Sequence, residues 1–301
     1  MTADGSAGGS LTGRRVLLTR SPDRAGAMAA ALAAAGAEPL LLPLIDFERT
    51  PDREGFAEAM GGLRAGEYAW LVVSSITTVR ALKAYSLEHG LPLAELVPED
   101  VKIATIGPSS RQVLEAEGLR VDLAPSGSQS AEGLLGAWAY SDDGGAAGAD
   151  GAGATRVLLP QSDLAAPTLA EGLEARGWAV DTVTAYRTVD YPADPQRRLT
   201  AELAVGAEPA VAVVLTPDEA RAQLAEGTLD AVVAASPSAA RRIHATLRPL
   251  EGTRLVAIGQ PTAEELRSLG VVVAATAERP TPEGIVAAAI HALSEHRKDN
   301  S

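Results

Sequence analysis

The sequence predicts an α/β protein of two similar domains with parallel sheets flanked by helices, and three observations predict it. Short apolar runs alternate with Ala-rich helical patterns, as in βαβ units whose strands are buried on both faces. A set of three such units occurs twice in the same order. Each unit reads strand, tight turn, capped helix.

The first unit opens with RVLLTR (Arg15–Arg20), and its helix runs to Gly36. RVLLPQ (Arg156–Gln161) repeats it, with a helix ending at Gly177. The strand starts and the glycines lie at one offset, which also places Leu32 on Leu173. The second unit, WLVVSSITTVRAL (Trp70–Leu82), is echoed by DAVVAASPSAARRI (Asp230–Ile243). The third, IATIGPSSRQVLEAEGLRV (Ile103–Val121), is echoed by LVAIGQPTAEELRSLGVVV (Leu255–Val273). There Gly107 matches Gly259 and Gly118 matches Gly270. Farther on, SAEGLL (Ser130–Leu135) matches TPEGIV (Thr281–Val286).

Helix boundaries follow from local chemistry. Ser21-Pro22, Ser236-Pro237 and Thr281-Pro282 each place a capping hydroxyl before a proline at the first helical position. Ser109 with Gln112, and Thr262 with Glu265, fit the capping box. Gly36, Gly118, Gly177 and Gly270 suit helix C-termini, where a positive φ is common.

The length of 301 residues fits two domains. The order of units leaves two arrangements open. Each domain is one contiguous set, or the first unit completes the last two. Each copy of the first unit is followed by a long extended run, EPLLLPLIDFE (Glu38–Glu48) and DTVTAYRTVDYP (Asp181–Pro192). Two such segments could pair as the chain crosses between domains and returns, which favours the exchange. Residues 1–13 and 141–155 are rich in Gly and polar residues; a disordered N-terminus and a flexible loop are expected. Residues 295–301 read as a polar tail.

Composition narrows the function. The chain has no cysteine, which excludes a disulfide scaffold, a thiolate zinc site and a cysteine nucleophile. The histidines His89, His244, His291 and His296 never approach a metal-ligand spacing, so no metal is expected. A net charge of −13 with scattered basic residues argues against nucleic acid. No apolar run reaches the ~18–20 residues of a membrane span, and the start lacks the pattern of a secretory signal. A cytoplasmic monomer without a membrane partner is expected.

In open α/β sheets, ligands gather at the carboxyl ends of the strands. The turns there carry Thr19, Arg20, Ser75, Gly107, Ser109, Ser110, Ser162, Ser236, Ser238, Gly259 and Thr262. Such turns present backbone N–H groups to carboxylates or phosphates without needing net positive charge. Arg20, Arg24, Arg80, Arg187 and Arg241 lie near them. The same hydroxyls also serve as helix caps, and the sequence leaves both roles open. No GxGxxG, GxxxxGK[ST] or GxSxG motif is present.

Over about Arg15 to Leu293, the chain resembles the uroporphyrinogen-III synthase family. The marks are VLLTR, IGPSS and IGQPT, AEGLL, the run from Leu158 to Val189, ASPSA and PTPEG. The resemblance implies the exchanged arrangement. Residues 14–39 and 190–294 form domain one, 49–180 form domain two, and a two-stranded β-ladder from 40–48 and 181–189 joins them over a substrate cleft. It implies cyclisation of hydroxymethylbilane, a linear tetrapyrrole, with ring D inversion, loss of water and no cofactor. It also implies Tyr186 as the proton donor to the departing hydroxyl; a packing role on the ladder is the other reading. Thr262 matches a family threonine. Two departures are present. Gly259-Gln260-Pro261-Thr262 stands where the family has Gly-Pro-Thr-Thr, and Ser74–Thr78 differs from its Thr-Ser-Ala-Asn-Gly turn. The alternative function is a non-catalytic two-domain receptor for a small anionic ligand, closing by hinge motion.

Overall fold

A computed structural model describes residues 11–138, 156–204, 212–250 and 252–299. The expected loop over 141–155 therefore lies outside the described residues. In chain order the elements are β1 (Arg15–Leu18), α1 (Pro22–Ala34), β2 (Glu38–Leu41), β3 (Ile45–Arg49), α2 (Arg53–Arg64), β4 (Trp70–Val73) and α3 (Ile76–Glu88). Then come β5 (Lys102–Thr105), α4 (Pro108–Ala116), α5 (Ala131–Trp138), β6 (Arg156–Ser162), α6 (Thr168–Glu174) and β7 (Ala179–Asp190). The last are β8 (Val213–Val214), α7 (Pro217–Ala225), β9 (Ala231–Ala234), α8 (Pro237–Thr246), β10 (Arg254–Ala257), α9 (Gln260–Ser268), β11 (Ala275–Thr276) and α10 (Pro282–Asp299).

The chain forms two compact units. The first takes residues up to Ile45, Asp190–Pro192 and Ala207 onward; the second takes Asp46–Val189 and Ala193–Gly206. The first holds a six-stranded sheet in the order β11-β10-β9-β1-β2-β8, and every pairing in it is parallel. The second holds a five-stranded sheet in the order β3-β7-β6-β4-β5, with β4, β5, β6 and β7 paired in parallel.

The strands are short because they are buried on both faces. In β1, Val16 and Leu18 pack with Leu32 of α1 and Ile285 of α10. Leu17 points the other way, into a core shared with Leu224, Ile243 and Leu266 of α7, α8 and α9. The second sheet repeats the arrangement. Leu71 and Val73 pack with Met60 and Leu82 of α2 and α3, whereas Trp70 and Val72 pack with Trp138 and Leu173 of α5 and α6. The period of two in each strand divides its residues between two cores.

The extended runs differ in part from the expected ladder. The first run is divided: β2 pairs with β1, while β3 lies beside β7 at the edge of the other sheet. The second run lies mostly in β7, a strand of 12 residues that pairs with β6 from Ala179 to Tyr186. At the N-terminus, Leu11, inside the stretch 1–13 expected to be disordered, is fully buried and its N–H donates to Ala35 O at 3.0 Å; residues 1–10 lie outside the described residues. An apolar residue in a Gly/Ser-rich stretch had a core within reach. At the other end, α10 continues to Asp299, past the expected start of the tail.

Gly36, Gly118, Gly177 and Gly270 adopt positive φ after their helices. The glycines of the two Glu-Gly pairs are required for another reason. A Cβ on Gly133 would stand 1.8 Å from Ser128 O, and one on Gly284 2.2 Å from Arg279 O. In each copy the preceding loop lies directly on the first turn of the helix, so no side chain fits there. The caps match too: Gly133 N–H donates to Ser130 Oγ at 3.1 Å, and Gly284 N–H to Thr281 Oγ1 at 3.2 Å.

Candidate functional site

Parallel strands place their following turns along one edge of each sheet. In the first unit the turns after β10, β9 and β1 are neighbours. Strands lie about 4.8 Å apart, so these three turns span roughly 10 Å. They carry Gly259 and Thr262, Ser236 and Ser238, and Thr19 and Arg20. In the second unit the turns after β6, β4 and β5 carry Ser162, Ser75 and the Gly107–Ser110 segment, with Tyr186 late in the adjoining β7.

Two kinds of helix start occur along these edges. Ser75 and Ser236 cap α3 and α8, accepting from Thr78 N at 3.1 Å and Ala239 N at 3.1 Å. Ser238 Oγ lies 3.0 Å from Ser236 Oγ. By contrast, no side chain caps α1, α4 or α9. The expected capping boxes of Ser109 and Thr262 therefore do not form. Gly107 and Gly259 are the N-caps, and the helices begin immediately after them. Proline explains the earlier start, because the first helical positions need no backbone donor and proline has the φ they require. Pro108 takes the first position in α4 and Pro261 the second in α9. The Gln260-Pro261 departure thus shifts the proline by one position within a turn that accepts it at either, and adds the N–H of Gln260. Ser109 is exposed, while Ser110 and Thr262 are buried inside their helices.

Thr19 serves the fold. Its buried Oγ1 donates to Val233 O at 2.7 Å and accepts from Ala235 N at 3.3 Å, tying β1 to the turn after β9. Arg20 is half-buried, and its Nη1 donates to Arg24 O at 3.4 Å. Burial, followed by the charge of Arg24, holds its pKa below the usual arginine value. Ser162 completes a local turn: its Oγ donates to Asp163 at 3.0 Å, accepts from Leu164 N at 3.2 Å, and lies 3.2 Å from Thr188 Oγ1. Of the other nearby arginines, Arg80 donates to Ala201 O at 3.2 Å and Arg241 pairs with Glu265 at 2.9 Å. Among the described residues, no three His, Asp or Glu side chains converge as a metal site.

Tyr186 and Ser75 come together. After a register shift between Gln161 and Ser162, Tyr186 stands opposite Ser162. Its ring is buried, edge-on to Phe47 at 5.5 Å. Its hydroxyl lies 3.1 Å from Ser75 Oγ, which is also 3.1 Å from Thr78 Oγ1. Thr78 Oγ1 reaches Pro160 O at 3.5 Å. The Ser75 proton therefore has two acceptors.

Sequence reasoning missed the carboxylate behind this tyrosine. Glu48 is buried, pairs with Arg187 at 2.6 Å and accepts from Asp194 N at 3.1 Å. The Arg187 hydrogen bond is the main reason its pKa is depressed. The available signal was an acidic residue ending an extended apolar run, with Arg187 and Arg197 on the segments that return to it. Its ionised form stabilises the fold above the ordinary carboxylate pKa, and that contribution is lost as pH falls through the depressed value. Urea midpoints measured between pH 7 and pH 3 should therefore fall less in Glu48→Gln than in the parent protein.

A family model described as uroporphyrinogen-III synthase HemD matches residues 26–287. A protein of Methanothermobacter thermautotrophicus, provisionally named a uroporphyrinogen-III synthase, is 28% identical over 288 residues, covering 92% of this chain and 98% of its own. The porphyrin biosynthesis protein HemD of Ruminiclostridium josui is 30% identical over 115 residues, covering 38% of this chain and 22% of its own. Among solved structures, the uroporphyrinogen-III synthetase of Helicobacter pylori aligns at a TM-score of 0.52 and 14% identity, covering 96% and 100% of the two chains. A mutant uroporphyrinogen III synthase of Thermus thermophilus aligns at 0.50 and 18% identity, covering 95% and 98%. At such identities the structures show a shared fold.

Proposed function

The chain belongs to the uroporphyrinogen-III synthase family, and from that premise we propose that it cyclises hydroxymethylbilane to uroporphyrinogen III with loss of water. Ring A sheds its hydroxyl and becomes an electrophile. The already substituted position of ring D attacks it, and the spiro intermediate fragments and recloses with ring D inverted. The substrate is reactive enough to close unaided to the type I isomer. The protein's task is to hold a flexible octacarboxylate in one conformation, which is an orientation effect.

The single observation that carries this reading is the set of helix N-termini that no side chain closes. Among the described helices these include α1 and α9 in one unit and α4 in the other. Each offers oriented N–H groups at the carboxyl edge of its sheet, where an anion is favoured. This suits a chain of net charge −13 whose nearby arginines Arg187 and Arg241 already pair with carboxylates. The turns carrying Thr19, Arg20, Ser236, Ser238, Gly259 and Thr262 hold some of the substrate carboxylates. Those carrying Ser75, Gly107, Ser109, Ser110 and Ser162 hold others. Thr19, Ser110 and Thr262 shape these turns from inside, since their side chains are buried.

Tyr186 donates a proton to the departing hydroxyl. Ser75 supports it by turning its own proton toward the phenol oxygen, stabilising the negative charge left there. Expression of this chain should restore growth without added haem to a bacterium lacking its own uroporphyrinogen-III synthase. No growth, with soluble protein present, would contradict the assignment.

A further inference from the structure

A pocket of about 230 Å³ lies in the second unit. α2 contributes Phe56 and Ala57, α3 contributes Ala81, Ala84 and Tyr85, and Ala185 and Leu199 complete the apolar wall. Four alanines, Ala57, Ala81, Ala84 and Ala185, face the space, and larger side chains there would fill it.

The lining also carries charge. Arg49 and Arg53 both belong to it, and both bind Glu88, at 2.7 Å and 2.8 Å. Two guanidinium groups thus share one carboxylate, leaving one net positive charge. The apolar wall includes Phe56 and Tyr85, set edge to face at 5.8 Å, and Tyr85 stacks on His89 at 4.1 Å. A cavity of about 150 Å³ accepts benzene, so this one has room for a ring and a short arm.

We propose that this cavity is a second ligand site, for a small arylalkyl monocarboxylate. The ring lies against Phe56, Tyr85 and Leu199. The carboxylate pairs with the guanidinium groups of Arg49 and Arg53 and balances the second positive charge. An octacarboxylate tetrapyrrole is far too large for it, so the ligand is neither the substrate nor the product of the proposed reaction.

The test uses the full-length protein and two probes, 3-phenylpropionate and its neutral amide, measured by titration calorimetry. Nuclear Overhauser effects from the probe ring to the methyl groups of Ala81 and Ala84 locate it. The site predicts saturable binding of the carboxylate, at least about tenfold tighter than the amide, as expected for one charge-assisted hydrogen bond. Arg49→Met should lower carboxylate affinity about tenfold, and Ala81→Leu should abolish binding of both probes by filling the cavity. Should Arg49→Met fail to fold, Ala81→Leu with the carboxylate–amide comparison carries the test. Failure of the carboxylate to saturate, equal affinity for both probes, or binding that survives Ala81→Leu would each overturn the proposal.

Discussion

Tyr186→Phe slows formation of the type III isomer by one to two orders of magnitude, in keeping with what a positioned general acid contributes. The substitution keeps the ring against Phe47 and removes only the oxygen 3.1 Å from Ser75 Oγ. Ser75 retains Thr78 Oγ1 as an acceptor, so the local fold survives. The effect therefore falls on turnover and leaves substrate affinity nearly unchanged. Single-turnover rates and thermal melts on one preparation check this. A normal rate would remove Tyr186 as the donor and leave it as the packing residue its burial also allows.

Trp138→Ala destabilises the second unit by about 3–5 kcal/mol, the usual cost of deleting a buried tryptophan. Trp138 is fully buried at the end of α5. It contacts Trp70 at a ring separation of 4.6 Å and Trp178 at 6.0 Å. These are all the tryptophans of a chain with only 3% aromatic residues, so no other large ring is present to fill the space. Against a total stability of roughly 5–15 kcal/mol, such a loss is severe. Urea unfolding followed by far-ultraviolet circular dichroism should show a transition moved to much lower urea. An unchanged midpoint would mean that α5 does not pack there.

Much of this molecule was legible in its sequence, for physical reasons that differ by element. The strands announced themselves because burial on both faces leaves them as short unbroken runs such as WLVV and AVVA. The repeat was legible because the same loop-on-helix contact demands glycine twice, at Gly133 and Gly284. Helix starts were legible where a hydroxyl caps just before proline, at Ser236 and Thr281, although the Ser21 side chain makes no capping bond. They were misread at α4 and α9, because a glycine in extended conformation can take the N-cap and the following proline fills the first turn. The fate of EPLLLPLIDFE was not legible. An extended run says nothing of its partner, and its two ends went to different sheets. The contact between Ser75 and Tyr186, and the ion pair of Glu48 with Arg187, join residues more than a hundred positions apart. No local pattern encodes such distances.

Ring closure with inversion is measured by generating hydroxymethylbilane in situ, adding the protein, and separating the oxidised products into type I and type III uroporphyrin. An excess of type III that rises with protein concentration and falls sharply for Tyr186→Phe is expected. Type I alone, from a folded sample, would contradict it and leave a two-unit receptor for anions as the reading of the open helix termini.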